Sequence, residues 1–421
     1  MTDTLPAVSG APASGAEAPT ATRHWAPFLA LETATLLSAV GNGITLVALP
    51  WLVLDVTGRA TAAGLVSGVA AVPLLLAALF SGTVVDRLGR RPTAIASDLL
   101  SGLAVAAIPV VAVVGRLSLG WLLLLAALAA LFPPSGATAR AAVLPEAGRA
   151  ARLPLERANA VHEAVFGVAF LVAPAVGGVL IALIGAQATL WVPAVGYATA
   201  ALAMLLLRVE GAGRGQHAHD HEPAGWWTET REGLRFVWRD PALRAVAIVY
   251  TAVIGVWLPI EGVVLPVLFR DQGEPARLGL VLMGMSGGAV VGALLYGWRG
   301  HRVPRRTAVL IALVGTSLPV LGMALQPPIS AMVGLAFASG VLYGPVNPIA
   351  NVVMMERSPN RLRGRVVGVL TSLAYAAGPV GLLATGPLVD RLGVETTFVL
   401  LAVALLAVCV AAFTLDGLRH L

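Results

Sequence analysis

The sequence predicts an all-α integral membrane protein with twelve transmembrane helices in two pseudo-symmetric six-helix halves. Three observations lead there. Of 421 residues, 57% are hydrophobic and 12% charged, about half the charge of an ordinary soluble domain, so a water-soluble fold has too little polar surface to cover its apolar one. The apolar residues fall in separate runs that each reach about 20 residues, the length of a span. The stretch that closes the second run returns 215 residues later.

The spans are expected near 26–54, 61–84, 93–115, 118–142, 158–185, 187–208, 244–268, 278–298, 305–325, 328–351, 363–388 and 394–416. Residues 1–24, rich in Ala, Pro, Thr, Ser and Gly, read as a disordered tail. They lack a basic segment followed by a short apolar one, so the first apolar run is expected to be retained as a helix. The first half is 25–208, a linker covers 209–243, the second half is 244–416, and 417–421 form a short tail. Span 4 carries Pro133, Pro134 and Gly136, a break that membrane helices tolerate where neighbours satisfy the freed backbone groups. In the linker, Trp227, Leu234, Val237 and Trp238 fall on one helical stripe opposite Glu229, Glu232, Arg235 and Arg239. That pattern predicts an amphipathic helix at the membrane surface.

All 28 basic residues are Arg. Without Lys there is no phosphate-gripping P-loop and no Schiff-base chemistry. With both termini in the cytoplasm, 23 Arg, Arg140 among them, fall in cytoplasmic segments and five outside, which predicts that orientation in the cell membrane. Short Arg clusters between apolar runs suit topology control, and no nucleic acid partner is expected. The single Cys409 excludes an internal disulfide and reads as a small buried hydrophobe. No HExxH is present, so an enzyme is not expected, and neither is a cofactor. The tract His217-Ala-His219-Asp220-His221 stands alone and reads as a solvated spacer, with no metal assigned.

The repeat carries more. Gly82-Thr-Val-Val-Asp86-Arg87-Leu-Gly89-Arg90-Arg91 aligns with Gly297-Trp-Arg-Gly-His301-Arg302-Val-Pro304-Arg305-Arg306, and a third copy, Gly386-Pro-Leu-Val-Asp390-Arg391-Leu-Gly393, closes span 11. Gly82 permits close helix approach, Asp86 is suited to a positive helix N-terminus or an Arg, and Gly89 permits a turn with positive φ. Parallel repeats of six helices are a transporter signature.

These residues resemble the signature loop of the major facilitator superfamily, over about 26–416, with drug and macrolide efflux transporters and siderophore exporters as the most similar branch. Val47-Ala-Leu-Pro-Trp-Leu-Val-Leu-Asp55 and Arg363-Gly364-Arg365-Val366 add to the likeness. The resemblance implies a major facilitator fold. It also implies a conformational latch in which Gly82, Asp86, Arg87, Gly89, Arg90 and Arg91 brace the start of span 11 at Arg363 and Arg365 and favour the outward-facing state. In the second copy His301 and Pro304 replace the acid and the Gly, so a symmetric latch is not expected there. Ala169, Ala173, Pro174, Gly177 and Gly178 in span 5 resemble a drug-antiporter motif, with two expected Gly replaced by Ala.

Ionisable groups inside spans are functional candidates by default. Glu261, Glu32, Asp98 and Glu163 are the proton-coupling candidates, because apolar surroundings disfavour a charged carboxyl and make proton uptake and release feasible; structural ion pairing is the competing reading for the last three. Asn42, Trp257, Tyr343, Asn347 and Tyr375, with Met283, Met285 and Asn351, are cavity candidates suited to a bulky amphipathic solute. The expected function is export of a small, drug-like compound or secondary metabolite by proton antiport, with alternating access between the halves. The partners are substrate, protons and lipid, and the chain is expected to be a monomer. An importer or facilitator of the same fold, and a non-transporting membrane sensor, remain open at this point.

Overall fold

The computed structural model describes residues 24–115, 117–207, 226–359 and 362–417; the side chains of 226–230, His301, 363–365, 367, 371, 374 and 375 lie outside the described residues, as does the 217–221 tract. The chain is helical throughout, with no strand among the described residues. The first half contains α1 (Ala26–Thr57), α2 (Ala60–Leu88), α3 (Arg90–Val114), α4 (Leu119–Leu131), α5 (Pro133–Ala150), α6 (Leu155–Thr189) and α7 (Trp191–Leu206). Helix α8 (Trp226–Arg239) precedes the second half: α9 (Pro241–Pro259), a π-helical turn Ile260–Val264, α10 (Leu265–Asp271), α11 (Pro275–Arg299), α12 (Arg305–Ala324), α13 (Ile329–Tyr343), α14 (Val346–Arg357), α15 (Arg363–Leu392) and α16 (Val394–Ala411). Ten stretches are long and apolar enough to cross a membrane; α7, at 16 residues, and α15, at 30, complete the alternation.

Span 4 breaks where its prolines stand, between α4 and α5. Phe132 separates the two, and its carbonyl accepts a 2.6 Å hydrogen bond from Ser97 Oγ beside those from the Ser135 and Gly136 amides. Span 10 breaks likewise at Gly344-Pro345, between α13 and α14, a break not expected from the sequence. Gly185 (φ 79°) turns span 5 into span 6 without ending the helical run. Span 7 runs through α9, the π turn and α10.

The first and last described residues lie on one face, called here the terminal face. The His24 amide donates to Ala150 O at 3.0 Å, and Gly417 abuts Pro241 and Ala245 at the start of α9. The halves meet on the opposite face, through α2 against α15 and α6 against α11. Small residues permit this: Gly64 lies against Leu382 O and Gly386, and Gly178 against Pro275 O and Gly279. Both seams open toward the terminal face. On α6 and α11 the space next to Gly287 is filled by Leu171, whereas Gly167 and Gly297 face no atom within 4 Å; on α2 the same holds for Gly82. The protein is therefore closed on one face and splayed on the terminal face.

Helix α8 differs from its expected pose. Val237 is fully buried in a cluster with Leu243, Ile349 and Val366, while Leu234 and Trp238 stay exposed. The stripe is thus divided: one edge docks on the bundle and the other does not.

Candidate functional site

In the first half the buried charges form closed pairs. Arg140 Nη1 donates to both Asp98 oxygens (3.0 and 2.8 Å), its Nη2 donates to Ser38 Oγ (2.9 Å), and Ser38 in turn donates to Asp98 (3.0 Å). The two charged side chains are 5% and 2% exposed. Arg140 had been assigned to a cytoplasmic loop; it stands instead inside α5, beyond the break at Pro133, where Asp98 compensates its charge. Gly136 makes room, since a Cβ there would meet Ser97 Oγ at 2.6 Å. Glu32 pairs with His162 Nδ1 at 3.1 Å across α1 and α6. Its neighbour in sequence, Glu163, points out of the bundle and is exposed.

The second half holds a different arrangement. Glu261 sits in the π turn that follows Pro259. Such turns interrupt regular backbone pairing and recur at functional sites. This one touches α1 and α2 of the first half as well as α15 and α16, so Glu261 lies near the junction of the halves. Trp257 stands four residues before Glu261, one helical turn away. Trp257 stacks on Tyr343, with centroids 5.4 Å apart and planes at 10°. The Tyr250 hydroxyl donates to Asn347 Oδ1 at 2.6 Å. Among the described residues no basic side chain pairs with Glu261.

Close helix packing sets this cluster. On α11, Gly284, Gly288 and Gly292 recur every four residues against Val333, Phe337 and Val341 of α13, and Gly340 and Gly344 answer from α13. Glycine stripes let backbones approach closely. This contact fixes α13, and so Tyr343, beside Trp257. Tyr343 and Asn347 flank the break at Gly344-Pro345, and Ser97 and Arg140 flank its counterpart in the first half. Interrupted helices in corresponding positions of two repeats point to a transporter's binding site.

The remaining candidates divide. Asn42 is exposed on α1, turned away from its neighbours, because Gly41 packs on Pro193 and Gly43 on Ala173. Met285 is 3% exposed in the core and serves packing, contrary to its expected cavity role. Gly177 lies against Ile44 and Val47 of α1, and the Pro174 carbonyl against Gly279, so the antiporter-like residues build helix contacts, including the seam between halves. The latch residues are not assembled in this state. Asp86 and Arg87 are exposed, Arg90 pairs with Glu146 at 2.7 Å, and Arg91 donates to Met204 O at 3.0 Å and to Leu205 O. The side chains of Arg363, Arg365 and Tyr375 lie outside the described residues.

Two helical halves, interrupted helices in corresponding positions and charge inside the spans fit a membrane transporter. The chain belongs to the Major Facilitator Superfamily, whose model matches residues 31–264 and again 261–419, about one half each. It is 43% identical over 398 residues to the multidrug efflux pump Tap of Mycobacterium tuberculosis, covering 94% of both chains. The Mycolicibacterium fortuitum Tap is 44% identical, with 94% of this chain and 97% of that one covered. Macrolide efflux protein A of Streptococcus pyogenes is 22% identical over 94% of this chain and 97% of its own. The nucleoside transporter NupG shares the fold, with a TM-score of 0.77 at 13% identity over 92% of this chain and 98% of that one. A bacterial homolog of the lysosomal transporter Spinster gives 0.71 at 15% identity, over 94% and 98%.

Proposed function

We propose that this protein exports amphipathic, drug-like compounds by proton antiport, through alternating access between its halves, and that it carries out no chemical conversion. It works as a monomer in the cell membrane with both termini in the cytoplasm, an orientation supported by the excess of Arg at the terminal face. The structure is then the inward-open state, ready to load substrate from the cytoplasm or the inner leaflet.

The observation that carries this reading is Glu261: a carboxyl in a π turn near the junction of the halves, close to a stacked aromatic pair and with no cation paired to it among the described residues. A carboxyl without a fixed counter-charge changes protonation at lower cost than one locked to Arg. The stacked Trp257–Tyr343 pair beside it offers flat apolar surface for an aromatic or macrocyclic solute, and Asn42 and Asn347 offer amides. The likeness to multidrug and macrolide efflux pumps supports the direction of transport. Glu261 is assigned the coupling proton; the Glu32–His162 pair is the second site to examine, and Asp98 and Glu163 follow.

The test uses inverted membrane vesicles with an imposed proton gradient and a panel of cationic dyes and macrolides. Uptake driven by the gradient, abolished by an uncoupler, is expected. Equilibration indifferent to the gradient would leave a facilitator and overturn antiport.

A further inference from the structure

The first and third copies of the repeated motif fold alike, and the second does not. Gly89 and Gly393 have φ of 90° and 82° and ψ of 153° and 159°. Their amides donate to Val85 O and Val389 O, both at 2.9 Å. Thr93 and Thr397, four residues on, each return a hydroxyl to the glycine carbonyl, at 2.6 and 2.8 Å. In the second copy Pro304 takes φ −54° and this turn is lost. The module therefore ends α2 at the terminal face and ends α15 at the opposite face.

The two copies differ in what their acid does. Asp390 Oδ1 accepts from the Ala60 amide and Oδ2 from the Thr61 amide, both at 2.9 Å. These are the first two residues of α2, in the other half of the protein. Gly386, four residues before Asp390, lies so close to α2 that a Cβ there would meet Ala60 O and Thr61 Cα at 2.7 Å. Gly82 and Asp86 occupy the same places in the first copy, yet Gly82 faces no atom within 4 Å and Asp86 is exposed. Neither α2 nor α15 is capped by the residue that precedes it: they begin after Arg59 and Leu362, and neither residue's side chain makes a cap hydrogen bond. Arg and Leu are poor caps, and Asp is among the best. A carboxylate also favours the positive end of a helix.

We propose that Asp390 is a positioning residue that holds the opposite face closed by capping α2 across the halves. The same module at Asp86 caps α15 when the terminal face closes. Helices α2 and α15 each carry the cap for the other at opposite ends, so the two caps exclude one another. This inference rests on the alternating-access reading above, but it is read without substrate or gradient.

The experiment measures spin-label distances in the full-length protein in lipid nanodiscs, in a Cys409→Ser background. One pair, Gly120→Cys with Gln272→Cys, spans the opposite face; the other, Arg157→Cys with Arg302→Cys, spans the terminal face. Asp390→Ala is expected to move the population toward an open opposite face by roughly five- to tenfold, in line with the strength of a typical cap. Asp390→Asn, which keeps one acceptor, is expected to move it less and guards against a folding failure of the alanine variant. Asp86→Ala should shift the ratio the other way, and the double variant should return it toward wild type, a cancellation that general destabilisation does not produce. Unchanged distances in both Asp390 variants overturn the proposal. A shift with Asp390→Ala but none with Asp86→Ala sustains the Asp390 cap and removes its counterpart. Loss of gradient-driven uptake with these distances intact would instead fall on the transport reading.

Discussion

Glu32 and Asp98 in the first half and Glu261 in the second are all carboxyls at membrane depth, but they keep different company. Asp98 is locked between Arg140 and Ser38, with three hydrogen bonds from those two side chains. Glu32 holds His162, which is charged only when protonated. Glu261 has a stacked aromatic pair nearby and a turn of π helix. A buried charge with a full counter-charge is costly to neutralise, since its partner is then left alone. The two repeats thus share a fold and differ in their charges: the first half pairs its buried carboxyls, and Glu261 in the second has no basic partner among the described residues.

The largest effect expected from breaking this contrast is at Asp98. Replacing it by Ala leaves Arg140 buried and unpaired, at a cost of about 3–5 kcal/mol, seen as a large fall in thermal stability in detergent. The paired replacement Asp98→Leu with Arg140→Met should recover most of that loss. Equal losses in the single and paired variants would mean that the ion pair is not what Asp98 is for.

Next in size is the seam. Gly386→Leu puts a side chain where Ala60 and Thr61 stand, so the closed face should open and the spin-label distance between Gly120→Cys and Gln272→Cys should lengthen. Gly82→Leu meets open space and should leave this state unchanged. A similar response at both positions would remove the distinction between the closed and open ends of α2.

A smaller effect is expected at the aromatic pair. Trp257→Leu removes the stack on Tyr343, one helical turn from Glu261. Aromatic pairs are worth about 0.5–1.5 kcal/mol, so the apparent affinity for a flat dye should weaken by roughly two- to tenfold. Fluorescence titration in detergent reads this directly, and an unchanged affinity would place the substrate elsewhere.

Much of this was legible beforehand. Apolar runs set the spans, and the Gly82–Arg91 motif set the repeat and the family. What escaped was non-local or irregular. Arg140 follows a Pro-Pro-Ser-Gly break and looks like a loop residue until α3 brings Asp98 to it. The Glu32–His162 pair spans 130 residues, and nothing local in the sequence announces it. Span 10 did carry a signal in Gly344-Pro345-Val-Asn-Pro348, the counterpart of Pro133-Pro134, and the repeat offset brings the two breaks close to register. The third motif copy proved more telling than the second, because it keeps the Asp and Gly that shape the turn.

The most direct test of the account compares Glu261→Gln with Glu32→Gln in inverted vesicles, following gradient-driven uptake and equilibrium binding of the same dye. Glutamine keeps the shape but cannot carry a proton. The account predicts that Glu261→Gln loses gradient-driven uptake by more than about tenfold, a step of 1.4 kcal/mol or more, while binding stays within a few-fold, and that Glu32→Gln retains most of its uptake. Full gradient-driven uptake by Glu261→Gln, with loss in Glu32→Gln, would contradict it and move the coupling proton to the His162 pair.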